Sequence, residues 1–327
     1  MTALTRMLAP LSLLFGAVVI ARRALYRSRL LRVIRIGIPV IVVGNITAGG
    51  SGKTPLVLWI AKYLKAAGWR PGIVSRGYGG RNASLRAPPF EVSIASDPAE
   101  VGDEPLVLAR RSGCPVWVAA DRVAACRALR NRHPECDVLV LDDGLQHYRI
   151  GRDIEIAVMD ERGFGNGYLF PAGPLREPVS RLRTVDAVVC NGAADGNGYA
   201  MRLEGREFFR LTDAARALDA AALGSRRIHA VAGIGDPARF FRHLEALGLE
   251  VVPHPFPDHH AYVASDLEFG ESLPIVMTEK DAVKCEHFAA AAEPGFWVLP
   301  VSAGLDPAFG AMLEGKLRGK LRGSKAA

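Results

Sequence analysis

The stretch GNITAGGSGKTP, Gly44–Pro55, decides how this chain is read. A phosphate-binding loop runs Gly, four residues, then Gly-Lys-Ser/Thr, and Gly52-Lys53-Thr54 supplies the second half. Counting back puts Thr47 where the first Gly is expected, so the flanks must decide. Upstream, IPVIVVGN (Ile38–Asn45) is a short, apolar, β-branched run, the pattern of a strand buried on both faces of a parallel sheet. Downstream, Leu56, Ile60, Tyr63, Leu64 and Ala67 fall at helical spacing and the run stops at Gly68. Pro55 lies in the first turn, where its missing N–H costs little. In a strand–loop–helix of this kind, Gly49, Gly50 and Gly52 let backbone N–H groups turn inward around phosphates. Thr47, Ala48, Gly49, Gly50, Ser51, Gly52, Lys53 and Thr54 are therefore the expected nucleotide-binding residues. Lys53 would reach the β- and γ-phosphates of ATP, and the Thr54 hydroxyl would serve Mg²⁺.

The alternation continues outward. PGIVS (71–75), VWVAA (116–120), DVLVLDDG (137–144), IEIAVMD (154–160) and DAVVCNG (186–192) read as strands. EPLVLARRS (104–112) and DRVAACRALRN (121–131), with Asp121 as N-cap, read as helices. Residues 36–198 are thus expected to form an α/β domain, a P-loop NTPase-like parallel sheet flanked by helices. YAMRLEGREFFRL (199–211) reads as a hairpin turning at Glu204-Gly205, a β linker. A second alternation from Arg226 predicts a smaller α/β domain, so that 199–327 holds linker, second domain and the basic tail EGKLRGKLRGSKAA, expected to fray.

Composition narrows the class. Hydrophobic residues make up 49% of 327, an ordinary globular balance with room for a large core. The five cysteines have no metal-ligand spacing and read as reduced thiols of a cytosolic compartment. Fourteen Lys and Arg precede the first acidic residue, Glu91, so the first 90 residues carry +14 and the rest −7. The early charge flanks MLAPLSLLFGAVVIA (7–21) and is followed by Arg22, Arg23, Arg27, Arg29, Arg32 and Arg35. An apolar run beside arginines suits a membrane-associated helix over 1–35 near anionic inner-membrane lipids, its basic side cytoplasmic. It does not suit a nucleic-acid partner, which calls for basic residues spread through an aromatic-bearing fold. The run is shorter than the roughly 20 residues that span a bilayer, so it lies in the interface or spans with its flanks. A buried first helix is the alternative. A cleaved signal is disfavoured because Arg-Arg follows the run.

Several motifs carry chemistry. A P-loop needs an acidic group for Mg²⁺ at the end of a neighbouring strand, and Asp142 with Asp143 supplies it. Gln146 and His147 follow closely. In VGDEP (101–105), Asp103 and Glu104 suit either a helix cap or a site. SRGYGG (75–80) offers Arg76 to a phosphate at a strand's carboxyl end. FPDHH (256–260) sets His259 and His260 beside Asp258, an acid–base candidate. GIGDP (233–237) lacks a full dinucleotide fingerprint, and the Lys of TEKD (278–281) is one position late for a guanine-reading motif.

Taken in order, VGNITAGGSGKTP, SRGYGG, GDEP, LDDGLQH, PAGPLREP, GIGDPARFF, FPDHH and TEKDAVK resemble the tetraacyldisaccharide 4′-kinase family of lipid A biosynthesis, from the N-terminal helix to about Pro300. In that family the loop's first position is commonly Thr or Ser, which accounts for Thr47. The resemblance implies ATP-dependent phosphorylation of the 4′-hydroxyl of a tetraacylated disaccharide 1-phosphate, giving lipid IVA. The place implied is the cytoplasmic face of the inner membrane, with no obligate protein partner. It implies Asp103 as general base, His259 orienting it or sharing its proton, and Thr54, Asp142 and Asp143 serving Mg²⁺ with Glu177 of LREP nearby. Two other readings use the same loop: a different small-molecule P-loop kinase or ligase, and a membrane-tethered NTP switch.

Overall fold

The computed structural model describes residues 3–325 except 85–86, 195, 197 and 292–294. Helix α1 (Ala3–Arg27) leads into β1 (Val40–Gly44), α2 (Lys53–Ala66), β2 (Pro71–Ser75) and β3 (Phe90–Val92). Next come α3 (Pro98–Val101), α4 (Asp103–Ser112), β4 (Val116–Val118), α5 (Arg122–Arg132), β5 (Val138–Leu141), β6 (Ile154–Asp160), β7 (Ala187–Asn191) and β8 (Tyr199–Glu204). The remainder is β9 (Phe208–Arg210), β10 (Asp213–Leu218), β11 (Arg227–Ala232), α6 (Pro237–Ala246), β12 (Glu250–Pro255), β13 (Ile275–Met277), α7 (Glu279–Cys285), β14 (Phe296–Val298), β15 (Ser302–Leu305) and α8 (Pro307–Lys325).

The larger sheet has nine strands in the order β15-β8-β7-β6-β1-β5-β2-β4-β3. Strands β8 to β4 along that order are all parallel, and the two edges, β15 and β3, are antiparallel. Both faces are covered, which is why β1, β2 and β5 are buried throughout. On one face Leu56, Ile60 and Leu64 of α2 pack with Leu106 of α4 and with Phe309, Leu313 and Leu317 of α8. On the other, Val123, Cys126 and Leu129 of α5 pack against Val40, Val42 and Leu139. Each such side chain contributes roughly 1.5–3 kcal/mol by leaving water.

The smaller sheet, β10-β9-β14-β13-β11-β12, has its own two cores, around Phe240, Leu244 and Trp297 and around Tyr262, Met277 and Phe296. Three expectations are corrected here. β8 and β9 do not form a hairpin, because β8 pairs with β7 and β15 in the large sheet while β9 pairs with β10 and β14 in the small one. The chain returns to the large sheet through β15, so the smaller sheet is confined to 208–298. The basic tail is helical to Lys325, because Phe309, Leu313 and Leu317 bury one face of α8.

Helix α1 touches the body along one side. The Ser12 hydroxyl donates to Leu169 O and accepts from Ala172 N, Phe15 meets the Phe170 ring edge-on at 5.9 Å, and Tyr26 reaches Tyr148 at 6.0 Å. Met7, Leu11, Leu13, Leu14, Val18 and Ile20 are exposed. The helix Thr5–Arg27 is long and apolar enough to cross a membrane, its most apolar 18-residue window having a mean hydropathy of 1.7.

Candidate active site

Ligands of open α/β sheets bind beyond the carboxyl ends of the strands. Here two sheets aim those ends at one cleft. From β1, β5 and β7 of the large sheet come the glycine-rich loop, Asp142-Asp143 and Asn191; from β11, β12 and β13 of the small sheet come Gly235, His259 and Lys280. The cleft is a cavity of about 850 Å³ whose walls include Gly49, Lys53, Thr54, Asp143, Glu104, Asp236, His259 and Lys280.

The loop explains its own unusual start. Thr47 forms an antiparallel bridge with Leu175, and Ala48 N donates to Pro174 O at 2.8 Å. The first position is thus extended backbone held by the 174–175 segment, which needs no glycine. The demanding positions are later: Gly52, at the start of α2, has φ 92, and a Cβ there would lie 2.9 Å from the Asn191 amide nitrogen. Side chains fix the loop's carbonyls, with Asn45 Nδ2 donating to Gly49 O (3.2 Å), Arg162 Nη2 to Gly50 O (2.7 Å) and Asn191 Nδ2 to Ser51 O (3.4 Å). A Cβ on Gly235 would come within 2.7 Å of Gly50 N, so the small sheet closes directly over the loop.

Lys53 Nζ lies 3.6 Å from Asp143 Oδ1, and Arg176 Nη1 donates to both oxygens of Asp143 at 3.2 and 3.1 Å. Burial opposes ionisation of Asp143, but Lys53 and Arg176 outweigh it and hold the carboxyl below its usual range. Asp142 is the opposite case. It is fully buried, and burial with the nearby charges of Glu104 and Asp143 pushes its carboxyl well up. Its Oδ2 accepts from Ser75 Oγ at 3.1 Å, while Oδ1 is buried with no partner. An orphaned carboxylate oxygen is costly unless something positive completes it. That oxygen, at the end of the strand paired with β1, together with Thr54 on the first turn of α2, fits a hard cation taking oxygen ligands and phosphates.

Asp103 is the first residue of α4, but the cap is Gly102, φ 89, and no side-chain cap bond forms. The carboxylate instead accepts from Glu104 N (2.7 Å) and meets His259 Nδ1 at 3.1 and 3.0 Å from its two oxygens. Burial raises the Asp103 carboxyl; the His259 hydrogen bond and the charges of Lys280, His259 and Lys284 more than offset it, so the net direction is down. The Asp103 hydrogen bond raises the His259 imidazole against its burial, with Asp103, Asp258 and Glu104 adding negative charge. The Tyr78 ring of the SRGYGG loop sits 4.9 Å from His259. His260 faces elsewhere: its Nε2 is 2.9 Å from Asp266 Oδ2, and its ring packs on Phe256 and Tyr262.

Glu177 is apart from these groups. It is fully buried, accepts from Gln146 Nε2 (2.7 Å) and the Tyr148 hydroxyl, and lies 3.3 Å from Arg181 Nε. Its backbone N, with that of Arg176, donates to Ile46 O, so it braces the base of the loop. Glu177→Ala should leave Arg181, itself almost fully buried and still paired with Glu155, without that second partner and cost about 1–3 kcal/mol in urea unfolding. Glu177→Gln, which keeps an acceptor, should cost less. Unchanged unfolding with altered Mg²⁺ dependence would instead make Glu177 a metal-side group.

Sequence reasoning passed over three groups: Arg176 on Asp143, the Lys280–Glu104 ion pair across the cleft, and a cationic ring around His147. Burial, then Arg122, Arg76, Arg152 and Arg22, hold the His147 imidazole down at about 4. Glu104, His147 and Arg76 each carried a local signal, but none that named its partner.

A parallel sheet with this loop, acidic residues on the adjacent strand and a carboxylate–histidine pair across the cleft defines a P-loop phosphotransferase. The family model for tetraacyldisaccharide-1-P 4′-kinase (LpxK) matches residues 4–318. The tetraacyldisaccharide 4′-kinase of Azoarcus sp. (strain BH72) is 53% identical over 304 residues, covering 91% of this chain and 87% of that protein. The one from Pseudomonas aeruginosa (strain UCBPP-PA14) is 46% identical, covering 95% and 92%. The crystal structure of LpxK from Aquifex aeolicus in complex with ATP superimposes with a TM-score of 0.80 at 28% identity, covering 96% of this chain and 99% of that one. This chain belongs to the tetraacyldisaccharide 4′-kinase family, kinases of lipid A biosynthesis.

Proposed function

We propose that the chain transfers the γ-phosphate of ATP to the 4′-hydroxyl of a tetraacyldisaccharide 1-phosphate, with Asp103 as general base. The observation that carries this reading is that Lys53 and His259, from different sheets, line the same cavity, with Asp103 hydrogen-bonded to His259. The loop amides and Lys53 hold the β- and γ-phosphates. Asp103 takes the hydroxyl proton as the acceptor oxygen attacks the γ-phosphorus; the bond to the β,γ-bridging oxygen breaks and ADP leaves. His259 orients Asp103 and shares the proton. Thr54 and Asp142, with Asp143, would hold Mg²⁺, which supplies neutralisation of the developing phosphate charge. The test is incubation of purified protein with ATP, Mg²⁺ and the lipid disaccharide, read by mass spectrometry. One added phosphate on the disaccharide is expected. ATP hydrolysis without lipid phosphorylation would instead favour an NTP switch.

The exposed apolar side of α1 beds, in this reading, into the cytoplasmic leaflet of the inner membrane, while its other side stays docked on the body. The exposed Arg22 of α1 and Arg76 of the SRGYGG loop suit an anionic headgroup. Deleting residues 1–25 should release the protein from anionic vesicles only in part, because Arg27 to Arg35 remain, each worth about 1 kcal/mol near such a surface. The residual binding should fall as salt rises. Salt-insensitive binding would reveal a second apolar docking surface, for which exposed Phe170 and Val179 are placed.

A further inference from the structure

Helix α7 carries a charge that neither the nucleotide nor hydrogen bonding explains. The Lys284 ammonium is buried and has no hydrogen-bond partner. It stands 3.1 Å from Asp281 Oδ1, 3.6 Å from Asp103 Oδ2 and 5.1 Å from the centre of the Tyr262 ring. Asp281 is already provided for: Gly233 N (3.1 Å), Thr278 Oγ1 (2.6 Å) and the Tyr262 hydroxyl (3.1 Å) all donate to it. One helical turn earlier, Lys280 is spent on Glu104. The Lys284–Asp281 ion pair is a poor device for stability as a pair, since two apolar side chains of similar volume in its place usually do as well or better. The group Lys284 acts on that has chemistry to perform is Asp103, which comes from the other sheet's layer.

We propose that Lys284 is a positioning residue for the Asp103–His259 pair, its ammonium holding the Oδ2 edge of Asp103 so that the carboxylate stays anionic and in register with His259 Nδ1. This rests on the reading of Asp103 as the proton acceptor. The charged groups facing Asp103 are His259 and Asp258 from the loop after β12, Lys280 and Lys284 from α7, Asp281 behind Lys284, and Glu104 on its own helix. Asp103 and His259 share a hydrogen bond and titrate as a pair, so removing a neighbouring cation raises both apparent values. The sign is therefore fixed: without Lys284 both limbs of the pH profile move to higher pH. A helix-docking role alone would lower activity and leave the limbs in place.

The test is kcat and kcat/KM for the lipid disaccharide against pH, in the wild type, Lys284→Met, Lys284→Gln and Lys284→Arg. For the Met and Gln variants the acid limb should rise by about one pH unit, as expected for loss of an opposite charge within a few ångströms. The plateau kcat should fall about tenfold from lost alignment. The KM for ATP should stay close to the wild-type value, and the melting temperature should fall alike in both neutral variants, because each leaves the buried Asp281 and Asp103 without that cation. Lys284→Arg should return the acid limb toward wild type. Limbs that stay in place in either neutral variant overturn the proposal, and the Gln variant carries the comparison if the Met variant does not fold. Asp103→Asn, measured alongside, separates the two levels. An active Asn variant removes the base assignment itself, whereas an inactive one with unmoved Lys284-variant profiles removes only the role of Lys284.

Discussion

Asp103→Asn should lower kcat by about 10²–10⁴-fold while leaving ATP affinity nearly unchanged. The substitution preserves size and shape, and Asn caps helices about as well as Asp, so a purely local role at the start of α4 would survive it. The geometry already weakens that local role, since Gly102 is the cap and the carboxylate faces His259 at 3.0 Å. ATP should be spared because the loop amides and Lys53 bind its phosphates. His259→Ala should also be slow, and the double mutant should be little worse than the slower single, because paired groups act as a unit. Single-turnover rates for all three variants, with ATP binding by calorimetry, check this. Multiplicative losses would mean that Asp103 and His259 are not one pair, and an Asn variant near wild type would remove the base assignment.

How much of this was readable beforehand depends on what each signal measures. Parallel strands buried on both faces leave continuous apolar runs, so β1, β2, β5 and β6 and the loop after β1 were legible from residue type alone. The error at 199–211 shows the limit of that reading. Alternation identifies strands, but not which sheet each joins, and β8 and β9 part company at Gly205. The tail failed for another reason. Gly315, Gly319 and Gly323 lower its helix propensity, but burial of α8 against α2 overrides it. Gly310 is required there, since a Cβ would come within 2.6 Å of the Tyr63 ring. In the site, the loop and Asp142 follow from a local pattern. The Asp103–His259 contact joins positions 156 apart and depends on two sheets facing one cleft. Local sequence offered both residues as candidates, and only the family resemblance paired them. Lys280 and Lys284 were hidden for the same reason: TEKD only misses a guanine-reading motif, and nothing in TEKDAVK announces that the lysines meet Glu104 and Asp103.

Lys53→Ala should reduce phosphoryl transfer by about 10³-fold or more. Removing one preorganised donor to developing charge typically costs about 10²–10³. Lys53 does more than that in this site, because two carboxylates, the half-buried Asp143 and the fully buried Asp142, depend on it. It helps hold Asp143 ionised, and its charge works against the upward push on Asp142. Without it Arg176 alone faces Asp143, and Asp142 gains a stronger tendency to take a proton, which would spoil it as an oxygen ligand for a cation. The loss should therefore appear both in kcat and in the Mg²⁺ concentration needed for half-maximal rate, which should rise. Lys53→Arg should rescue little: the lysine is a compact point charge with 11% of its side chain exposed, and a planar guanidinium spreads its charge over a wider fork. Rates at saturating lipid and ATP across a Mg²⁺ series distinguish the two contributions. A fall in kcat with an unchanged Mg²⁺ requirement would confine Lys53 to the phosphates. Turnover near wild type would remove the phosphate-binding role from Gly52-Lys53-Thr54 altogether.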